Sequence, residues 1–117
     1  NSRAAGWQEA VDSALKQNSM KNSPLLNFAG LKSAYDRGAY STVLKRARVV
    51  KRNLGKGYQI DRGFLFSTAC RAANQLNLKG SAPSDGLDWC EGWLDFAENA
   101  GKSGDAAKAQ DIIDQLE

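Results

Sequence analysis

Residues 61–100 read DRGFLFSTAC RAANQLNLKG SAPSDGLDWC EGWLDFAENA, and this stretch decides the fold. Asp61 can cap a helix that carries Phe64, Leu65, Ala69, Cys70, Ala72, Ala73 and Leu76 and closes near Gly80. Ser81-Ala82-Pro83-Ser84-Asp85 is a turn and a cap, with Ser84 and Asp85 both eligible for the capping position. A second helix follows with Leu87, Trp89, Cys90, Trp93, Leu94, Phe96, Ala97 and Ala100, and Gly101-Lys102-Ser103-Gly104 ends it. The apolar residues recur at helical spacing, and no segment alternates with period two. Two helices joined by so short a turn form an antiparallel hairpin.

Cys70 and Cys90 each stand ten residues from Gly80. In an antiparallel hairpin they reach the same level, and both fall on apolar stripes. A disulfide there would close a loop of about 20 residues and contribute about 3 kcal/mol. It would also imply an oxidising compartment, periplasmic or secreted. The alternative is two free, buried thiols in a cytoplasmic protein.

Downstream, Asp105 opens a helix with Ala106, Ala109, Ile112, Ile113 and Leu116. Upstream, residues 5–18 carry Trp7, Ala10, Val11, Ala14 and Leu15 on one stripe, and a polar linker spans 18–23. Ser23 as N-cap with Pro24 at the first helical position starts another helix, with Leu25, Phe28, Ala29, Leu31, Ala34 and Tyr35, which stops at Gly38. A further helix runs from Tyr40 to Gly55 on a stripe of Tyr40, Val43, Ala47, Val50 and Leu54. The expectation is an all-α chain of about six short amphipathic helices packed as antiparallel hairpins. They form a single domain over 1–117, with residues 1–4 outside the ordered fold.

Two stretches share a layout. Gly38-Ala39-Tyr40 is followed by Val43, Ala47 and Val50, and Gly104-Asp105-Ala106 by Ala109, Ile113 and Leu116. In each, apolar residues stand five, nine and twelve after the glycine, and the glycines are 66 residues apart, about twice a 33–34-residue helical repeat. In this the chain resembles tetratricopeptide or Sel1-like repeats, which are stacked helical hairpins. Trp93 falls where that family places its first-helix Trp, and Ala97 and Ala109 fall at its small positions. Asn27 and Leu31 occupy the corresponding Trp and small positions of the first stretch, where the match is poorer. The resemblance covers about half the chain and implies a bundle or repeat-like array used for protein binding.

Histidine is absent, which removes Ser-His-Asp triads, Cys-His dyads and His-ligated zinc together. Two cysteines are too few for a structural zinc site. Gly55-Lys56-Gly57 lacks the remaining residues of a phosphate loop. The chain is therefore expected to be no enzyme and to carry no cofactor or metal. No apolar run approaches the roughly 20 residues that span a bilayer.

The net charge of +3 conceals a split: residues 1–60 balance at +8 and residues 61–117 at −5. Lys45, Arg48 and Arg52 recur at i, i+3, i+7 as one basic ridge, flanked by Arg46, Lys51 and Lys56. Asp88, Glu91, Asp95 and Glu98 form an acidic ridge. Either ridge can be a solvated helix face, and the two halves can neutralise each other. As sites, they predict electrostatic docking of another protein, or of a second copy of this chain. Trp7, Trp89 and Trp93 are expected as core anchors. Trp89 is also a candidate interface anchor, because it lies beside Cys90 and not every large residue of this helix can point inward. The expected function is non-catalytic recognition, as an adaptor or an exported accessory or immunity-type inhibitor. Nucleic-acid binding through the basic helix is the alternative.

Overall fold

A computed structural model describes residues 2–17 and 20–117, with side chains from residue 6 onward. Among these residues the chain is all-α, with seven helices and no strand: α1 (Ser2–Leu15), α2 (Pro24–Ala29), α3 (Leu31–Asp36), α4 (Tyr40–Arg52), α5 (Arg62–Leu78), α6 (Gly86–Asn99) and α7 (Ser103–Leu116). The described residues group into two compact units, residues 1–60 and 61–117. The boundary coincides with the charge split, so one unit carries +8 and the other −5.

In the first unit, α2 and α3 both pack on α4, and α1 packs on α2. Ser23 caps α2 through its Oγ, which accepts from the Leu26 amide at 3.3 Å, and Pro24 follows at the first helical position. The single helix expected from Pro24 to Gly38 is broken at Gly30. Its N–H still closes α2 on the Leu26 carbonyl, while its own carbonyl is drawn to Arg46 at 2.7 Å and Ser33 Oγ at 3.2 Å. α1 already includes residues 2–4, which were expected to lie outside the fold, and Asn1 falls outside the described residues. The helix closes at Leu15, and Asn18 and Ser19 of the expected linker also fall outside the described residues.

The inward face of α1 runs through Gln8, Val11, Asp12 and Leu15, not through Trp7 and Ala10. Trp7 is 57% exposed, which corrects its assignment as a core anchor. The inward turn of Asp12 accounts for the difference, because a carboxylate paired with Arg37, Arg46 and Ser33 overrides the apolar pattern. Leu25 and Phe64, also read as core, are exposed.

In the second unit, α5, α6 and α7 form two consecutive antiparallel hairpins. Asp61 caps α5, its Oδ1 accepting from the Phe64 amide at 3.0 Å. Gly80 and Gly101 close α5 and α6 in the left-handed region at φ 78° and 71°. Behind each, a longer bond satisfies the helix end: Ser81 N–H to the Leu76 carbonyl and Lys102 N–H to the Ala97 carbonyl, both 2.8 Å. Cys70 and Cys90 are joined by a disulfide across α5 and α6, with Cα atoms 4.7 Å apart and both side chains fully buried.

The α5–α6 interface interleaves large and small residues. A Cβ on Gly63 would lie 2.5 Å from the Phe96 ring, and a Cβ on Gly92 would lie 2.9 Å from the Phe66 ring. Each helix thus lays a phenylalanine over a glycine of the other. Ala73 against Gly86 continues the register, where Leu116 of α7 also meets the pair. These glycines let two backbones approach as closely as the disulfide requires.

Trp89 is completely buried, which overturns its candidacy as an interface anchor. Its Nε1 donates to Asp85 Oδ2 at 3.1 Å, and its ring lies 5.8 Å from that of Phe66. Asp85 therefore precedes α6 without giving its side chain to the helix backbone. With the indole N–H satisfied, the ring can be buried without loss. Trp93 and Ala97 are buried beside it.

Candidate basic recognition site

The first unit holds a concave hollow of about 540 Å³. α4 forms one wall with Thr42, Lys45, Arg46, Arg48, Val49 and Arg52. Leu15 and Lys16 enter from the end of α1, Lys21 and Asn22 from the turn before α2, and Asn27 from α2 itself. Six of these residues are cations, and none of the described lining residues is a carboxylate or an aromatic.

The geometry follows from three local causes. On α4, residues 42, 45, 49 and 52 recur at i, i+3, i+7 and i+10, so they share one face, and Arg48 sits within a turn of Lys45 and Arg52. The opposite stripe, Val43, Leu44, Ala47 and Val50, is buried and fixes which way the basic face turns. Asn27, only 3% exposed, donates its amide to the carbonyls of Lys21 at 2.9 Å and Ser23 at 2.8 Å. That double bond to the backbone folds the turn so that Lys21 and Asn22 stand at the rim.

The third cause is a charge cluster behind the hollow. Arg46 Nη1 donates to Asp12 Oδ1 at 3.1 Å as well as to the Gly30 carbonyl, and Arg37 Nη1 pairs with Asp12 Oδ2. Ser33 Oγ also donates to Asp12 Oδ1, at 3.3 Å. Burial pushes the Asp12 carboxyl up, but the Arg37 hydrogen bond and the charges of Arg46 and Arg37 outweigh it, so it stays ionised below the usual carboxylate range. Arg46 is consequently a positioning residue that shares the single Asp12 carboxylate with Arg37.

Of the six predicted basic residues, Lys45, Arg46, Arg48 and Arg52 are brought together in the hollow. Lys51 and Lys56 are exposed and do not line it. Lys16, Lys21 and Asn27 belong to it although α4 alone gives no sign of them. Asp88, Glu91, Asp95 and Glu98 are all exposed along one face of α6.

A second, smaller hollow of about 230 Å³ lies in the unit built from α5–α7. It combines Asp61 and Asp105 with Arg71 and Lys102 over the rings of Trp93 and Phe96, at 5.0 and 5.8 Å to the ring centres. Its charges are mixed, and both cations already lie against aromatic faces. Among the described residues no group of three or more Cys, Asp or Glu could hold a metal ion, and no helix is long and apolar enough to cross a membrane. No protein family, curated protein or solved structure matches the chain.

Proposed function

We propose that this chain is a non-catalytic recognition module that docks an anionic partner protein through the basic hollow of its first unit. The observation that carries this reading is the convergence of Lys16, Lys21, Lys45, Arg48 and Arg52 on one concavity with no carboxylate among its described lining. A merely solvated basic helix would present α4 cations alone. Here three separate segments contribute, and Asn27 and Arg46 fix two of them. Like charges gathered in a hollow repel one another, and an anionic ligand relieves that repulsion.

The acidic ridge of α6 is a second, convex contact face, suited to a basic partner or to another copy of this chain. The buried disulfide supports a working compartment that is oxidising, periplasmic or secreted. Nucleic-acid binding is the second reading; among the described lining residues there is no aromatic ring to stack an unpaired base.

The test compares poly-L-glutamate with duplex DNA of matched total charge over a salt series from about 50 to 500 mM. The protein-docking reading expects the glutamate polymer to bind at low salt, more tightly than DNA, and to be released as salt rises. Tighter binding of DNA overturns it in favour of the nucleic-acid reading. Absence of binding to either polymer removes the basic hollow as a docking site.

A further inference from the structure

We infer that the anion docked by the hollow is the acidic ridge of α6 on a second copy of this chain. The inference rests on the hollow being the docking site and names its occupant. On the α4 wall, residues 42, 45, 49 and 52 recur at i, i+3, i+7 and i+10. Asp88, Glu91, Asp95 and Glu98 recur on α6 with the same spacing. Each row runs ten residues along its helix, about 15 Å, so the two match in period and in length. Lys45 and Arg52 stand seven apart, as do Asp88 and Asp95, and Glu91 and Glu98. One helix laid along the other therefore sets two carboxylates opposite two cations, whichever way the helices run.

Both rows are exposed. No described carboxylate of the first unit pairs with Lys16, Lys21, Lys45 or Arg52, since Asp12 is held by Arg37 and Arg46 and Asp36 by Lys32. None of the four α6 carboxylates forms an ion pair with a described residue of its own unit. Lys16 and Lys21 come from segments outside α4, so a convex helix seated in the hollow meets charge on more than one side. The apolar surfaces correspond as well. Leu87 and Leu94, partly exposed, run along one edge of the α6 ridge, and the hollow offers Leu15 and Val49. The contact is heterologous, the hollow of one copy taking α6 of another. Exposed ion pairs are individually weak, so the association is weak and sensitive to salt.

The experiment follows sedimentation of the disulfide-bonded full chain from about 10 μM to about 1 mM, at about 50 mM and about 500 mM salt. The wild type is expected to associate with rising concentration at low salt and to remain monomeric at high salt. Amide shifts on association should centre on Lys16, Lys21, α4 and α6. Lys45→Glu/Arg52→Glu should weaken association by at least about tenfold, although it brings the net charge of +3 closer to zero, which by itself favours association. Glu91→Lys/Asp95→Lys should weaken it as much. Combining the four substitutions exchanges the two signs at unchanged net charge and should restore association. All four side chains are exposed and the two pairs lie in different units, so the combined variant folds if each pair does. A wild type that stays monomeric throughout, association that survives either reversal, or a combined variant that fails to associate overturns the assignment. Poly-L-glutamate binding to a dilute wild type then leaves docking of another anionic protein standing. If the wild type neither associates nor binds the polymer, both readings fall.

Discussion

Arg46 donates through Nη1 to the carbonyl oxygen of Gly30 across 2.7 Å, at the point where one expected helix becomes two. The same carbonyl accepts from the Ala34 N–H at 3.3 Å, so it opens α3 and receives the α4 guanidinium at once. The same guanidinium reaches Asp12, so one side chain joins α1, the α2–α3 break and α4 behind the basic hollow.

Asp12→Asn tests that junction. The substitution keeps the shape of the side chain and removes the charge that two guanidiniums share. The first unit should lose about 1–3 kcal/mol, read as weaker amide protection in α1–α4 with α5–α7 unaffected. The acid response should change too. A carboxylate held below its ordinary value stabilises the fold at any pH above its unfolded value, and that contribution is lost as pH falls through the lower folded value. The wild-type unit should therefore loosen on acidification below about pH 4, and D12N should lack that step.

Gly30→Ala should disturb the same junction sterically. Its φ of −86° suits any residue, but an added Cβ would lie 2.8 Å from Arg46 Nη1 and 3.0 Å from Leu15 Cδ1. The guanidinium can swing away only by leaving the Gly30 carbonyl. A loss of about 1–3 kcal/mol is expected, together with weaker anion binding from a misplaced α4. Unchanged stability and unchanged binding would show that the junction does not position the hollow.

In the second unit, Gly92→Ala should cost about 1–3 kcal/mol through overpacking against Phe66. Alanine's better helix propensity, worth up to about 1 kcal/mol, does not offset a 2.9 Å contact unless the ring can move. Adding Phe66→Leu should make the double variant less damaging than the sum of the two singles. Thermal unfolding of the three variants checks this.

Replacing Cys70 and Cys90 with alanine should lower stability by about 3 kcal/mol, from the 20-residue separation that the bond closes. The effect should be confined to α5–α7. Reduction of the wild type under unfolding conditions should match the double variant.

Much of this architecture could be read before any coordinate. Ser23-Pro24 and Asp61 are local capping signals, and the equal distance of Cys70 and Cys90 from Gly80 fixes a hairpin register. What escaped the reading depends on partners far along the chain. Arg46, sixteen residues away, meets the chain at the Gly30 break, and the inward Asp12 is paired with Arg37 and Arg46. Trp7 looks like core because a stripe counts only apolar residues, and α1 turns a carboxylate inward instead. Trp89 looks half-exposed beside Cys90 until Asp85 takes its indole N–H. The α4 ridge was visible as a run of charges, but Lys16 and Lys21 join it only through tertiary structure.

The central claim is that the basic hollow, and not charge in general, does the docking. Its most direct test measures poly-L-glutamate affinity for the wild type, for Lys45→Glu/Arg48→Glu/Arg52→Glu, and for Asp88→Lys/Glu91→Lys/Asp95→Lys on α6. The account predicts that reversal at α4 abolishes binding, while reversal at α6, which makes the whole chain more basic, changes it little. Binding that survives reversal at α4, or that rises with net charge wherever the lysines are placed, would contradict it.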